Sequence, residues 1–156
     1  MTPGIVIRDA RPADSGTIKS LLRDAELPLE GIAEVRFAVA EHDGRIIGSA
    51  GLEIHGDSGL LRSVAVEPGW RGHGVGEALV RAVLDAAAMC KLDPVVLLTT
   101  TAPDWFPRFG FERIERHDVP QPLLESVEFT RACPATATVM RCSLAAAQTA
   151  RAAAPQ

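Results

Sequence analysis

Residues 63–79 read Ser63-Val64-Ala65-Val66-Glu67-Pro68-Gly69-Trp70-Arg71-Gly72-His73-Gly74-Val75-Gly76-Glu77-Ala78-Leu79. An apolar, β-branched run leads into a glycine-rich turn, and the turn leads into a helix pattern. Glycines at 72, 74 and 76 remove side chains where a ligand would touch the backbone. The N–H groups of the first helical turn and the positive end of the helix dipole, with Arg71 beside them, predict an anion site.

Several interpretations of these glycines are open. The plainest is a tight turn whose glycines serve packing. A nucleotide-triphosphate loop needs Gly-Lys-Ser or Gly-Lys-Thr, and this class is excluded because Glu77 follows Gly76. A dinucleotide fingerprint fits poorly, because the third glycine comes one residue early and the turn follows a meander of strands. The remaining interpretation is a pyrophosphate site of the acetyl-CoA type.

The composition is that of one ordinary globular domain. The chain has 156 residues, of which 47% are hydrophobic and 23% charged. Its net charge of −4 argues against a nucleic-acid backbone or an anionic membrane as the main partner. No stretch approaches the roughly 18 apolar residues of a membrane span, and no basic segment leads into an apolar signal core. We therefore expect a cytoplasmic protein.

The three cysteines, Cys90, Cys133 and Cys142, are odd in number and show no CxxC spacing. A disulfide framework is therefore not expected, and buried thiols are the simplest interpretation. The histidines show no metal-ligand spacing either, so we expect no bound metal.

The first half of the chain predicts a meander of strands around one helix. Strand patterns cover residues 5–8, 37–41, 46–54 and 60–66, and a helix pattern runs from Pro12 to about Ala25. Asp43-Gly44 between two of the strands is a strong hairpin signal.

The second half begins with a long helix after the glycines. Its apolar stripe at helical spacing is Val75, Leu79, Ala82, Val83, Ala86 and Cys90. Residues 95–98 then read as a buried strand, and a strand-helix-strand crossover of this length predicts parallel pairing. A short helix over 103–109, a strand over 111–116, a long loop over 117–135 and a final strand over 136–144 follow. We expect residues 1–144 to form the domain and the alanine-rich 145–156 to be a disordered tail or a frayed helix.

Two motifs resemble one known family, the GCN5-related N-acetyltransferases. Arg71-Gly72-His73-Gly74-Val75-Gly76 matches that family's R/Q-x-x-G-x-G/A motif, after a strand ending in Val-x-Pro. The segment 102–111, which ends in Gly-Phe, is similar to the family's short fourth helix. The resemblance covers most of the chain.

This resemblance implies an α/β fold with a mixed, mostly antiparallel sheet of six to seven strands and about four helices. The sheet would be splayed between its fourth and fifth strands, with acetyl-CoA in the splay as co-substrate. The positions that correspond to cofactor-binding residues are Val64, Ala65 and Val66 for the pantetheine arm, Arg71, Gly72, His73, Gly74, Val75, Gly76 and Glu77 for the pyrophosphate, and Thr99 and Phe106 beyond them. Thr99 stands where many members have an asparagine, and a purely structural strand-end threonine is the alternative.

The family's reaction requires a neutral amine, so a base or a water relay must take a proton near neutral pH. Glu53 and His55 share one face of a strand and are candidates, although solvated strand residues often have this pattern. Arg62 lies among apolar neighbours, where its guanidinium suits either a substrate carboxylate or a structural ion pair. We assign Glu53 and Arg62 as catalytic candidates.

The acceptor is predicted to be the primary amine of a small molecule. The segment 59–66 and the later Ser126 and Phe129 resemble the subgroup found beside arsenic-resistance genes, which points to an amino-acid-like or arsenic-related toxic compound. Arg62, Ser126 and Phe129 are therefore the candidate substrate-binding residues. Protein N-terminal or lysine acetylation and a non-catalytic acyl-CoA sensor are the alternatives. The sequence leaves the oligomeric state open, with a homodimer as the form that many members adopt.

The chain lacks a tyrosine that many members of this family use as a general acid. Many members carry a tyrosine four residues before the glycine of the Gly-Phe signature, where its hydroxyl protonates the departing thiolate. Here that residue is Phe106, and the chain contains no tyrosine. We therefore expect transfer without a phenolic acid.

Overall fold

The chain folds into one seven-stranded mixed sheet flanked by helices. The computed structural model describes residues 4–132 and 135–153. Its strands are β1 (Ile5–Asp9), β2 (Arg36–His42), β3 (Arg45–His55), β4 (Ser58–Val66), β5 (Val95–Thr99), β6 (Glu112–Ile114) and β7 (Thr138–Cys142), in the order β1-β2-β3-β4-β5-β7-β6. The β4–β5 pair is parallel, while β1–β2, β2–β3, β5–β7 and β6–β7 are antiparallel. The predicted fold class is confirmed.

Four α-helices accompany the strands in the described part of the chain: α1 (Ser15–Asp24), α2 (Val75–Met89), α3 (Gln121–Leu124) and α4 (Leu144–Ala153). Short 3-10 turns and a π-helical turn, Glu128–Ala132, fill several connections. None of the described helices is both long enough and apolar enough to cross a bilayer.

The residues group into two compact units. The first comprises Met1–Glu53 with Leu61–Asp85, and the second comprises Ile54–Leu60 with Ala86–Gln156. The first has its own core, in which α1 packs against strands through Ile18, Leu21, Leu22, Val39, Ile46 and Ala65.

Two local features fix the geometry of the first unit. The β2–β3 hairpin turns at Asp43 and Gly44, both with positive φ (51° and 77°), as the Asp-Gly signal predicts. Gly48 of β3 lies so close to α2 that an added Cβ would stand 2.9 Å from Leu79 Cδ1. This close approach seats the start of α2 on the sheet.

The second unit is built on β5 and β7, which pair over their full lengths from Val95–Cys142 to Thr99–Thr138. The start of β4 joins them, with Gly59 opposite Val95 and Leu60 opposite Val96. Its core contains Leu60, Val96, Val119, Leu123 and Val139.

The predicted stripe of α2 is wrong at its C-terminal end. Cys90 is exposed, because the helix ends at Met89 and the chain turns away before the stripe is complete. The buried positions of the helix are Val75, Leu79, Val80, Val83 and Ala87.

The predicted loop over 117–135 contains helical turns, at Arg116–Asp118, Gln121–Leu124 and Glu128–Ala132. The last strand is shorter than predicted, because Ser143 caps a new helix: its hydroxyl accepts the Ala146 N–H at 3.0 Å and its carbonyl accepts that of Ala147 at 2.9 Å. That cap starts α4 at Leu144, so the alanine-rich segment is helical up to Ala153.

Candidate functional site

The glycine-rich turn and the start of α2 form an anion cradle in the first unit. Gly72 and Gly74 have φ values of +83° and +78°, which glycine adopts without the cost that other residues incur. The first N–H that bonds back within the helix belongs to Ala78, which donates to Gly74 O at 3.1 Å. The first helical turn therefore directs the N–H groups of Val75 and Gly76 outward from the helix end. This geometry suits a diphosphate.

Arg71 is an exposed cation beside the cradle. Its Nε donates to Val66 O at 3.3 Å, which ties the guanidinium to the end of β4. Neighbouring Glu67 is neutralised by an ion pair with Arg45. Arg71 therefore places a positive charge beside the helix end, which favours an anion there, although Glu77 in the first turn of α2 carries a negative charge.

The ring of Trp70 contacts the rings of two histidines. Its ring lies 4.5 Å from the ring of His42 and 5.6 Å from that of His73, measured between centroids. The sequence predicted solvated surface histidines, and nothing in their spacing indicated that these rings would meet. The contacts hold the turn before Gly72 against β2.

Val64, Ala65 and Val66 continue β4 from its buried centre toward this turn. Ala65 is buried and the two valines are half-buried. Their backbone is extended, and Ser63 before them is not: its φ is +60°, a conformation that non-glycine residues rarely adopt.

Glu53 and Arg62 lie together as a buried ion pair. Arg62 Nη1 and Glu53 Oε2 are 2.8 Å apart, with 0% and 7% of the two side chains exposed. Arg62 Nε also donates to Ser63 Oγ at 3.1 Å, and Nη2 donates to Pro28 O at 3.3 Å. The sequence left Arg62 open between an ion pair and a substrate contact, and the ion pair is present.

A serine beside this pair, Ser49, was not singled out from the sequence. Ser49 of β3 is fully buried, and its Oγ donates to Ser63 O at 3.0 Å. A buried serine in an apolar strand is a weak signal on its own, because its partner is set by strand register rather than by local sequence.

Thr99 and Phe106 lie in the second unit. Thr99 is buried, and its Oγ1 accepts the Ala102 N–H at 3.0 Å, which is the structural role weighed for it. Phe106 is buried in an aromatic cluster, 4.9 Å from Trp105, 5.9 Å from Phe111 and 6.5 Å from Phe109. Their cofactor roles stay predictions.

Ser126 lies just before the π-helical turn of the second unit, and Phe129 lies within that turn. Ser126 is buried, and its hydroxyl accepts the Phe129 N–H at 3.4 Å. Phe129 packs against the second unit's core, with the Arg116 guanidinium 5.5 Å from its ring centroid. Glu128 between them is buried as well.

The two cysteines in the described part of the chain do not lie together as ligands for a metal or metalloid. Cys90 is exposed at the end of α2, whereas Cys142 is buried in β7, and Cys133 lies outside the described residues. Burial, with added repulsion from Asp93 and Glu112, raises the pKa of the Cys142 thiol to about 11. No three His, Cys, Asp or Glu side chains among residues 4–132 and 135–153 group as metal ligands.

A family model described as an acetyltransferase (GNAT) domain matches residues 33–113, which span β2 to β6 and include the anion cradle. The chain belongs to the GNAT family. The GNAT motif at 71–76 coincides with the cradle, and the Gly-Phe signature follows the 3-10 turn Phe106–Phe109.

Three similar proteins show which members of the GNAT family this chain resembles. An amino-acid acetyltransferase of Mycobacterium tuberculosis is 36% identical over 122 residues, covering 70% of each chain. A solved M. tuberculosis structure in complex with CoA and NLQ is 30% identical, with a TM-score of 0.77, and the match covers 89% of this chain and 99% of that one. N-acetylglutamate synthase from Neisseria gonorrhoeae, solved with coenzyme A and N-acetyl-glutamate, shares the fold at 24% identity and a TM-score of 0.77, covering 92% of this chain and 36% of that one.

The comparisons and the cradle agree on the chemistry. This GNAT chain is an N-acetyltransferase that uses acetyl-CoA as co-substrate and an amine as acceptor. The outward N–H groups, the left-handed glycines and Arg71 fit the diphosphate of that co-substrate.

Proposed function

We propose that the protein acetylates the α-amine of a free amino acid or an amino-acid-like compound, by direct attack of the amine on acetyl-CoA in a ternary complex. The observation that carries this proposal is the 36% identity to an amino-acid acetyltransferase over 70% of both chains. A buried arginine on β4 supports it, because a guanidinium suits a carboxylate that every such substrate carries.

The cradle and β4 are proposed to hold acetyl-CoA. The N–H groups at the start of α2 bind its diphosphate, with Arg71 beside them, and the backbone of Val64 to Val66 binds the pantetheine arm. Thr99 and Phe106 complete the proposed cofactor set. When bound, acetyl-CoA supplies a thioester whose carbonyl the amine attacks.

Glu53 and Arg62 are proposed to serve the acceptor. The Arg62 contact to Pro28 O, at 3.3 Å, is longer than those to Ser63 Oγ and Glu53 Oε2, and Pro28 lies on a connection rather than a strand. A substrate carboxylate would replace that carbonyl. Glu53, held by Arg62, takes the amine proton directly or through water.

The segment 117–135 is proposed to choose the acceptor. Ser126 caps its π-helical turn and Phe129 anchors the turn on the core, so the segment has a defined shape that side chains can vary. Exchanging this segment for that of another GNAT enzyme should change the acceptor preference and leave acetyl-CoA affinity within a few-fold. An unchanged amine profile would move specificity to α1 and the Pro28 connection.

An arsenic-related acceptor belongs to this proposal only as an amino-acid-like substrate. The two described cysteines do not support capture of arsenic by thiolates, because Cys142 is buried with a raised pKa and Cys90 is exposed just after α2. An amino acid with an arsenic-containing side chain is therefore one member of the test panel.

The test is CoA-thiol release with acetyl-CoA and matched acceptors: an amino acid, the amine that lacks its carboxylate, its N-blocked form and a peptide with the same first residue. We expect kcat/KM for the amino acid to exceed that for the decarboxylated amine by about a hundredfold, because the decarboxylated amine cannot form the charged hydrogen bond to Arg62. Equal rates for both amines, faster peptide acetylation, or acetyl-CoA binding without turnover would each overturn the proposal.

A further inference from the structure

Among residues 4–132 and 135–153, one residue in the middle of a strand has a left-handed backbone. Ser63 has a φ of +60° within β4, and it is buried. An L-residue with a Cβ occupies that region at an energetic cost, so surrounding contacts must hold it there. A sequence of Leu-Leu-Arg-Ser-Val-Ala-Val contains no local reason for such a turn of the backbone.

Two contacts hold Ser63 from opposite ends of the residue. Its carbonyl accepts the hydroxyl of Ser49 at 3.0 Å, and its own hydroxyl accepts Arg62 Nε at 3.1 Å. Ser49 is fully buried on β3, so its hydroxyl has no water to bond instead. The Glu53 carboxylate in turn fixes Arg62.

The left-handed conformation of Ser63 affects the direction of the strand residues that follow it. A left-handed residue in a strand rotates the peptide planes that flank it and so redirects the backbone that follows. The residues that follow are Val64, Ala65 and Val66, and after them comes the turn that leads to the anion cradle. The close approach of β3 at this point is visible at Gly51, where an added Cβ would lie 3.2 Å from Arg62 O.

We propose that Ser49 is a positioning residue for acetyl transfer, which bonds the Ser63 carbonyl, keeps Ser63 left-handed, and thereby aims the backbone of Val64 to Val66 at acetyl-CoA. This inference rests on the proposed cofactor role of Val64 to Val66. Ser49 itself touches neither substrate.

The experiment measures the acetyl-CoA dissociation constant and the separate KM values of full-length variants. Ser49→Ala should weaken acetyl-CoA binding about tenfold and raise the KM for acetyl-CoA by a similar factor, while the KM for the amine changes less than twofold. Ser58→Ala is the matched control, since it removes a buried hydroxyl from β4 away from Ser63 and should leave both KM values unchanged.

A rescue separates positioning from general damage. Glycine adopts φ near +60° without penalty, so Ser49→Ala combined with Ser63→Gly should recover acetyl-CoA affinity to within about threefold of the parent. In the Ser49→Ala background, Ser63→Ala lacks the same hydroxyl as Ser63→Gly but keeps the penalty, so Ser49→Ala/Ser63→Ala should bind acetyl-CoA about five- to tenfold more weakly than Ser49→Ala/Ser63→Gly. If Ser49→Ala alone fails to fold, adding Ser63→Gly should restore both folding and acetyl-CoA binding.

The inference is overturned if folded Ser49→Ala binds acetyl-CoA like the parent, if both KM values rise together, or if Ser63→Gly restores neither folding nor acetyl-CoA affinity in the Ser49→Ala background. Failure of the proposed function looks different. In that case the parent protein itself would not bind acetyl-CoA or would not acetylate any amino acid.

Discussion

The buried Glu53–Arg62 pair allows a quantitative test of the part of the site that the sequence left ambiguous. The two groups are 2.8 Å apart, and their side chains are 7% and 0% exposed, so solvent screens their attraction little. Truncating Glu53 to alanine would leave the buried guanidinium without the carboxylate that lies 2.8 Å from it. Breaking such a pair by removing one partner costs about 3–5 kcal/mol.

That free energy converts into a measurable shift of the melting temperature. For a chain of this size, 1 kcal/mol corresponds to about 2–4 °C, so Glu53→Ala should lower Tm by about 6–20 °C. Replacing both partners by apolar residues, as in Glu53→Leu with Arg62→Met, removes the unpaired charge, so the double variant should be more stable than Glu53→Ala. The exposed pair Arg113–Asp104, with 62% and 97% of the side chains accessible, is the control, and Asp104→Asn should change stability by less than about 0.5 kcal/mol.

The assay combines thermal unfolding with steady-state kinetics. If Arg62 also meets the substrate carboxylate, the folded double variant should show a KM for the amino acid raised at least tenfold, with the KM for acetyl-CoA raised less. A double variant that is stable and keeps the parent KM for the amino acid would refute the substrate role of Arg62. A Glu53→Ala variant with an unchanged Tm would refute the buried-pair reasoning itself.

Three further predictions follow from the cradle, the aromatic cluster and the thiols. Arg71→Ala should weaken acetyl-CoA binding about tenfold, near the lower end of a charged hydrogen bond because Arg71 is exposed. Gly74→Val should weaken it further, since valine resists a φ of +78°. Calorimetry measures both affinities, and folded variants that bind acetyl-CoA like the parent would contradict the cradle. Without a phenol at Phe106, kcat should rise with pH as the amine or its base deprotonates and then stay level. A descending limb in the pH profile would reveal another acid. Phe106→Leu should affect packing more than chemistry, so Tm should fall while kcat changes little. Cys142 is buried and, with a pKa of about 11, stays protonated at pH 7.5. Site-resolved mass spectrometry after alkylation should therefore find Cys90 labelled first and Cys142 labelled only after unfolding. Early labelling of Cys142 would contradict its burial.

The sequence alone predicted the features that depend on residues adjacent in the chain. Asp43-Gly44 predicted the hairpin because both residues accept positive φ, and both adopt it. The glycines at 72 and 74 and the helix after them predicted the cradle, because the first turn of any helix presents N–H groups that the helix does not use. The apolar run at 95–98 predicted a buried strand with a parallel neighbour, and β5 pairs with β4 in that direction.

Tertiary structure decided what depends on which residues meet. Cys90 shares the helical spacing of the stripe but is exposed, because spacing alone does not say where the helix ends relative to its neighbours. The choice of Glu53 as the partner of Arg62 comes from the pairing of adjacent strands, and the left-handed Ser63 comes from Ser49, fourteen residues away. A hydrogen bond between residues distant in sequence forms only after the strands have assembled, so its effect on backbone direction is absent from any local pattern.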